Sequence, residues 1–268
     1  MTPGPAGTAL RDRPWAFSPR AALRFWHRNA TVGRRTLLTT ITPRFLEAIA
    51  YLAVMGLGLG TYLTTIEGVD YVDFIAPGVA ASTVMFGAVL ETTYNSFVRI
   101  HIRRVYEAAI TTPLSVQDVV VGEYLWAATR ALAYGVVFLL VMVAFGLVAS
   151  PLAVLVVPVM AIGALLFAIV GMLYTALVSN IEHYNIFFTG ILTPMFLFGG
   201  VFFPFGRLPE WAQVIGWCLP LSHLVAAIRD LVLGGAGAGT LLHVGVLAVL
   251  AAALFPVPLV LLGRRLRG

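Results

Sequence analysis

The sequence predicts an all-α integral membrane protein. It is expected to have six transmembrane helices, an N-terminal interfacial amphipathic helix and two short extracellular re-entrant helices between spans five and six. Three observations predict this. Of 268 residues, 60% are hydrophobic and 11% charged, with a mean hydropathy of +0.93, whereas a soluble domain carries about 25% charged residues. Six stretches approach the ~20 apolar residues that a helix needs to cross a bilayer. Fourteen of the seventeen basic residues fall on one side of the resulting topology.

Residues 1–44 form the first unit, an arm expected in the cytoplasm. They hold eight arginines and no long apolar run, which is not the pattern of a cleavable signal peptide. The first ten, MTPGPAGTAL, read as disordered. The stretch SPRAALRFWHRNATVGRRTLL then reads as a helix. Arg20, Arg24 and Arg28 share one face, and Ala22, Trp26, Ala30 and Gly33 fall on another. A basic face set apart from a Trp-bearing one suits a helix lying in the headgroup plane.

Residues 45–268 form the transmembrane unit, with spans expected at 45–64, 74–98, 119–148, 153–178, 187–203 and 240–262. The fifth, FFTGILTPMFLFGGVFF, is short and aromatic. Besides the arm, Arg99, Arg103 and Arg104 follow span two, and Arg264, Arg265 and Arg267 close the chain. The loop TIEGVDYVD on the other side carries acidic charge alone. The positive-inside rule then places both termini in the cytoplasm, and an even number of spans agrees.

All seventeen basic residues are arginine. A phosphate-binding P-loop of the G-x-x-x-x-G-K-[ST] type requires lysine, so this chain has no ATP site of that kind. Its single cysteine, Cys218, excludes an intrachain disulfide and is expected to be a buried small hydrophobe. The five histidines are scattered, and there is no H-E-x-x-H or G-x-S-x-G motif. No catalytic residue and no metal site are expected.

Glu47, Glu91, Glu123 and Arg130 fall inside or at the ends of spans. Such residues cost about 2.5–3.5 kcal/mol each at mid-helix on insertion scales. Glu47 and Glu123 are near cytoplasmic ends and are expected to reach the interface. Glu91 and Arg130 are deeper, and a pair between spans two and three is the first expectation. The alternative is that Glu91, with Tyr94 and Asn95, faces a polar substrate route.

Between spans two and three lies RIHIRRVYEAAITTPLSVQDVVVGE. Arg103, Tyr106, Glu107 and Ile110 share a helical stripe. The helix, residues 99–112, is expected to stop at Thr112, because the residue before Pro113 is pushed out of the α region. Ser115 with Asp118 then has the spacing of a capping box opening span three. The segment is a charged loop or a docking helix for a cytoplasmic partner, and the rigid Thr-Thr-Pro-Leu-Ser exit favours the second.

The stretch GGVFFPFGRLPEWAQVIGWCLPLSHLVAAIRD breaks the last hairpin. Pro209 suits the first turn of a helix. Trp211, Val214, Ile215 and Cys218 recur at i, i+3, i+4 and i+7, an amphipathic face. Pro220 opens a second helix with Leu221, Leu224, Val225 and Ile228 on one side. Helices of about ten residues cover ~15 Å, half the hydrocarbon thickness. The pair, residues 208–231, either dips in from outside and returns or lies flat, anchored by Trp211 and Trp217. His223 is expected to cap or hydrogen-bond within it.

Several motifs occur in order: FIAPG (74–78), YEAAITTPLS (106–115), GE (122–123), FFP with LPEW (202–211), and LPLSH (219–223) followed by Arg229. With them the chain resembles the permease subunit of ABC-2 type exporters. FGAVLETTYNSFVR and HYNIFFTGILTPMFLFGGVFFP are similar to the branch of the nodulation lipo-chitooligosaccharide exporter permease. The antibiotic-resistance permeases of the daunorubicin type are more distant.

The resemblance implies that two copies of the permease pair in the inner membrane above two separate ATPase subunits. ATP and magnesium bind those subunits; this chain carries no cofactor and meets no nucleic acid. Its other partners are membrane lipid and an amphiphilic substrate: a glycolipid, a lipo-oligosaccharide or a drug-like molecule. Residues 99–112 become the coupling helix, with Arg103, Arg104, Tyr106, Glu107, Thr112, Pro113 and Leu114 at the ATPase. Pro204, Pro209, Trp211, Pro220, His223 and Arg229 become the exit gate. Spans one, two and five line the path, with Glu91, Tyr94, Asn95, Phe188, Thr193 and Phe196 facing it. The span-five aromatics suit an amphiphile or planar drug, or pack the dimer seam. The rival classes are a proton-coupled secondary transporter with Glu91 as carrier and an intramembrane enzyme using Glu and His.

Overall fold

Backbone polar groups in hydrocarbon must be satisfied within the protein, which favours helices, and helix dominates the described chain. The computed structural model describes residues 17–35, 37–58, 60, 65–66, 68–102, 105–106, 112, 114–178 and 180–265. The expected disordered stretch 1–10, and Arg103, Arg104, Glu107 and Pro113, lie outside them.

Helix α1, Pro19–Arg34, opens on a proline after an extended Ser18. Helix α2 is Leu37–Leu57. A small hairpin follows, with β1, Thr65–Ile66, antiparallel to β2, Val69–Asp70. Gly68 at φ 83° makes its turn, in a left-handed conformation that suits glycine. Helix α3, Tyr71–Leu90, continues through wide π-turns at Glu91–Asn95 and Val98–Ile102.

Helix α4 is Val116–Ala144. Its capping box is formed as expected: Asp118 N–H donates to Ser115 Oγ at 3.1 Å, and Ser115 N–H to Asp118 Oδ2 at 3.0 Å. Helix α5, Val156–Leu177, follows a 3-10 turn at Pro151–Leu155. Helices α6, His183–Phe187, and α7, Thr193–Phe198, are joined by a π-turn at Phe188–Leu192. Then come α8, Glu210–Cys218; α9, Pro220–Leu233; α10, Ala238–Leu254; and α11, Pro256–Arg265.

Among the described residues, five helical segments are long and apolar enough to cross a membrane: Thr39–Leu57, Tyr71–Ile100, Val116–Ala144, Pro151–Leu177 and Ala238–Arg265. The α8–α9 pair, bent by 88°, makes a sixth only if taken as one span. The stretch expected as span five is shorter than the rest. Its helical run, 183–198, covers ~24 Å at 1.5 Å per residue, against ~30 Å of hydrocarbon. Pro194, near the start of α7, lacks an N–H. The π-turn lies just before it, and the Thr193 hydroxyl donates to the Phe188 carbonyl at 2.9 Å.

Two sets of contacts define the ends of the bundle. At one, Thr175 Oγ1 donates to Thr92 O at 2.7 Å, and Arg265 Nη1 to Val178 O at 2.7 Å. At the other, Arg229 donates through Nε to Phe74 O at 3.1 Å and through Nη2 to Gly200 O at 2.8 Å. The short run 183–198 therefore carries the chain from one end to the other. The first end gathers α1, Arg44, Arg99 and Arg265, and is called the basic end; the second is the distal end.

Helix α3 is the centre of the core: 78% of its apolar window is buried, against 11% for Thr39–Leu57 in α2. In lipid, helices draw close where small residues meet. A Cβ on Gly171 of α5 would strike Thr92 Oγ1 and sit 3.2 Å from Val89 Cα of α3. A Cβ on Gly135 of α4 would lie 2.8 Å from Met160 Sδ of α5.

Two expectations, for Cys218 and Glu123, are corrected, and the faces of α8 and α1 are defined. Cys218 is exposed, not buried. The Trp211, Val214 and Ile215 face of α8 points away from the chain, while Ala212 and Gly216 turn inward. Glu123 is fully buried and does not reach an interface. In α1 the buried line is Ala22, Phe25 and Asn29, with Trp26 half-buried beside it. The cause lies in α4. Gly122 leaves a groove that Phe25 fills, and Glu123 draws in Asn29. The α9 line of Leu221, Leu224, Val225 and Ile228 is buried as expected.

Candidate functional site: a buried charge cluster and its cavity

The site begins with the π-turn of α3. An i→i−5 turn widens the helix, and such turns gather at functional sites. Here the Ser96 hydroxyl donates to Glu91 O at 3.2 Å, and the Thr92 carbonyl takes the Thr175 hydroxyl of α5. The Glu91 side chain reaches α4.

Both Glu91 oxygens are filled. Oε1 accepts from Arg99 Nη2 at 2.6 Å and from Trp126 Nε1 at 2.9 Å. Oε2 accepts from Asn95 Nδ2 at 2.7 Å and from Arg130 Nη1. The expected Glu91–Arg130 pair is thus present, joined by a second cation. Arg99 Nη2 also reaches Glu123 Oε2 at 3.0 Å. Glu123 takes two more bonds, from Ser96 Oγ and from Asn29 Nδ2, each at 3.3 Å.

Two carboxylates and two guanidiniums therefore balance inside the protein, bridging α1, α3 and α4. Burying an ion costs several kcal/mol, so the four stand together; removing one member of a buried pair costs about 3–5 kcal/mol.

The cluster reaches toward the segment expected to couple. Arg99 lies in the second π-turn, and Tyr106 is fully buried. Burial, then the Glu123 charge, raise the Tyr106 phenol well above its ordinary pKa. Tyr106 therefore turns inward in this chain, with its ring packed in the core. Thr112 is exposed and Leu114 half-buried.

A cavity of about 290 Å³ opens beside the cluster. Arg44 of α2, Glu91, Tyr94 and Asn95 of α3, and Arg130 and Tyr134 of α4 line it. Arg44 Nη1 pairs with Glu47, itself 61% exposed, at 2.6 Å. Arg130 Nη2 donates to the Tyr134 hydroxyl at 2.7 Å.

The expected path splits into two places. Glu91, Tyr94 and Asn95 meet at the cavity. Phe188 and Phe196 lie in an aromatic seam between α3 and α6–α7, with Phe188 5.5 Å from Tyr94 and Phe196 5.6 Å from Phe86. Thr193 is exposed. Tyr94 belongs to both places, and the seam forms within one chain.

The residues expected at the exit gather at the distal end. Pro204 is buried, Pro209 precedes α8, Trp211 is 61% exposed and Pro220 opens α9. The Arg229 guanidinium lies 3.8 Å over the Phe74 ring. His223 Nε2 faces Trp217 O at 3.0 Å, so it carries the proton of the neutral ring. His223 Nδ1 then accepts from His243 Nδ1–H at 2.9 Å. His223 thus bonds across to α8 and α10 rather than within its own helix.

Sequence reasoning missed Arg99, Asn29, Ser96 and Trp126 as members of the cluster. Arg99 sits eight residues after Glu91, two helical turns on, which is the signal that was available. Among the described residues, no group of three or more His, Cys, Asp or Glu side chains is placed to hold a metal ion.

Comparison with known proteins agrees with this architecture. A family model described as ABC-2 type transporter matches residues 22–233. The chain is 33% identical over 257 residues to Nodulation protein J of Sinorhizobium fredii, covering 96% of each. It is 36% identical over 244 residues to Nodulation protein J of Rhizobium leguminosarum bv. viciae, covering 91% of this chain and 94% of that one. The inner membrane transport permease YadH of Escherichia coli is 23% identical over 255 residues, covering 94% and 95%.

Proposed function

We propose a function from one premise: this chain belongs to the ABC-2 type transporter family. The chain is the membrane-spanning permease subunit of an ATP-driven exporter of amphiphilic molecules. Two copies pair, and two separate ATPase subunits dock at the basic end, which faces the cytoplasm as the positive-inside rule requires. ATP and magnesium bind to those subunits. Helix α1 lies at the cytoplasmic interface, six crossings span the inner membrane with both termini inside, and α8–α9 dip in from outside as a lid on the exit. The resemblance to the lipo-chitooligosaccharide exporter branch, with relatives named for nodulation, favours an amphiphile such as a lipo-oligosaccharide as cargo. A drug-like cargo, and with it efflux or antibiotic resistance, has no such support here.

One observation carries the mechanism. The segment leaving α3 at the basic end is wired by Arg99 to Glu91 and Glu123, and through Glu123 to α1. A push from a closing ATPase pair on residues 99–112 therefore moves α3 and α4 together, and with them the cavity walls. Hydrolysis resets them. The exchange of exposure between the two ends is alternating access.

The rival proton-carrier reading needs a carboxylate that gains and loses a proton in turn. Glu91 has four donors on its two oxygens, which leaves neither oxygen open to a proton in transit.

The test is reconstitution in proteoliposomes with a co-expressed ABC ATPase. The account predicts amphiphile movement that needs ATP and stops without the ATPase. Uphill movement by the purified chain alone, driven by a proton gradient, would overturn it.

A further inference from the structure

The cavity is richer in donors than the cluster behind it requires. Two guanidiniums converge on one ring there: Arg44 lies 5.3 Å and Arg130 5.8 Å from the centre of Tyr134. Glu91 is the one carboxylate in the lining, and its oxygens are already filled by four donors. It has no lone pair well placed for a cationic guest.

The donors are in the opposite condition. Arg44 is engaged through Nη1, and Arg130 through Nη1 and Nη2. Their remaining N–H groups have no partner among the described residues, and the Tyr134 hydroxyl accepts from Arg130, leaving its own proton to give. The counter-ion of Arg44 is Glu47, which is exposed and does not line the cavity. With Glu47 outside the lining and the Glu91 oxygens filled, the cavity wall at Arg44 and Arg130 presents cationic N–H donors. Guanidiniums present planar forks that fit an oxyanion.

Position adds a second constraint. Arg44 is seven residues into α2, about 10 Å along the helix from its start. That depth is near the boundary of headgroups and acyl chains on the basic side. Phe45 and Leu46, the next two residues, are 45% and 60% exposed. Helix α2 is also the least buried of the five long helices. A guest with its head in the cavity has apolar surface beside it for a chain.

We propose that this cavity binds the oxyanion head of an anionic amphiphile, taken from the lipid leaflet at the basic end, with Arg44, Arg130 and Tyr134 as its donors. This deepens the exporter reading by naming the charge on the head of the cargo, and it rests on that reading for the direction of movement. The occupant is an oxyanion on a lipid rather than a free anion, because the apolar surface beside Arg44 has no use for the latter.

The full-length chain, delipidated in neutral detergent, is titrated with phosphatidic acid, phosphatidylcholine of the same chain length, and inorganic phosphate. Bound lipid is read by native mass spectrometry with no ATPase and no nucleotide present, so the outcome is independent of the transport test. The expected result is one phosphatidic acid per chain, held about tenfold or more tighter than phosphatidylcholine, with inorganic phosphate far weaker. Loss of one charge-assisted hydrogen bond corresponds to roughly a ten- to hundredfold change. Arg44→Gln is expected to erase the preference while the melting temperature stays near wild type, since that side chain sits on the loosely packed helix. If that variant does not fold, Tyr134→Phe is the second, with a loss of about threefold for a neutral donor. Equal affinity for the two lipids in the wild type overturns the proposal. So does a preference that survives Arg44→Gln, and so does inorganic phosphate binding as tightly as phosphatidic acid.

Discussion

The two ends of the bundle are held in different ways. At the basic end, buried Glu91 and Glu123 and half-buried Arg99 and Arg130 are mutually dependent, with Asn29, Ser96 and Trp126 filling the remaining oxygens. At the distal end the ties among the described residues include ring stacking and hydrogen bonds to backbone carbonyls. Trp217 stacks on Phe205 at 4.4 Å and on His243 at 5.4 Å, and Arg229 holds two backbone carbonyls. A charge cluster is rigid in its demand: each member loses its solvation if another leaves. A stack slides at small cost. The difference suits an end that receives a push and an end that opens.

The comparison breaks first at Arg99. Arg99→Ala leaves Glu123 without its cation and is expected to cost about 3–5 kcal/mol of stability, read as a large fall in melting temperature in detergent. Neutralising the stranded partner as well, in Arg99→Ala/Glu123→Gln, is expected to recover most of it. If the double variant is no more stable than the single, the two charges do not depend on each other.

Packing between α3 and α5 comes next. Gly171→Val drives carbon into Val89 and Thr92 and is expected to cost ~1–3 kcal/mol. Chemical unfolding measures this, with Gly190→Val, which meets nothing within 4 Å, as the contrast. At the distal end, His243→Ala removes one stacking partner and one hydrogen bond, for an expected loss of about 1–2 kcal/mol. A loss as large as that at Arg99 erases the distinction between the ends. The smallest effect is Trp211→Ala on the exposed face of α8, expected to stay within about 0.5 kcal/mol for the isolated chain.

Much of this was legible in the residues. Hydropathy located the five long helices, the Ser115–Asp118 spacing gave the start of α4, and the period of Leu221 to Ile228 gave the buried face of α9. Glu91 and Arg130 were readable as a pair because a charge in hydrocarbon demands a counter-charge. Arg99 was hidden by its context: an arginine in a segment that already obeys the positive-inside rule reads as solvated. Asn29 was hidden because a lone amide in an amphipathic helix carries no period. The apolar line on α8 was correctly seen, but periodicity defines a face and not what covers it. The fifth span is legible at 187–203 as short and aromatic, but hydropathy does not register the π-turn before Pro194.

The central claim is that the charge cluster transmits the push. The most direct measurement is substrate-stimulated ATP turnover in proteoliposomes holding the chain and its ATPase, with wild type beside Arg99→Gln/Glu123→Gln. The pair is neutral and is expected to keep the fold, which its melting temperature checks, so stability is not the readout. The account predicts a fall in stimulation of about tenfold, within the span of 0.5–2 kcal/mol by which coupling residues act. Undiminished stimulation in the folded double variant would contradict it.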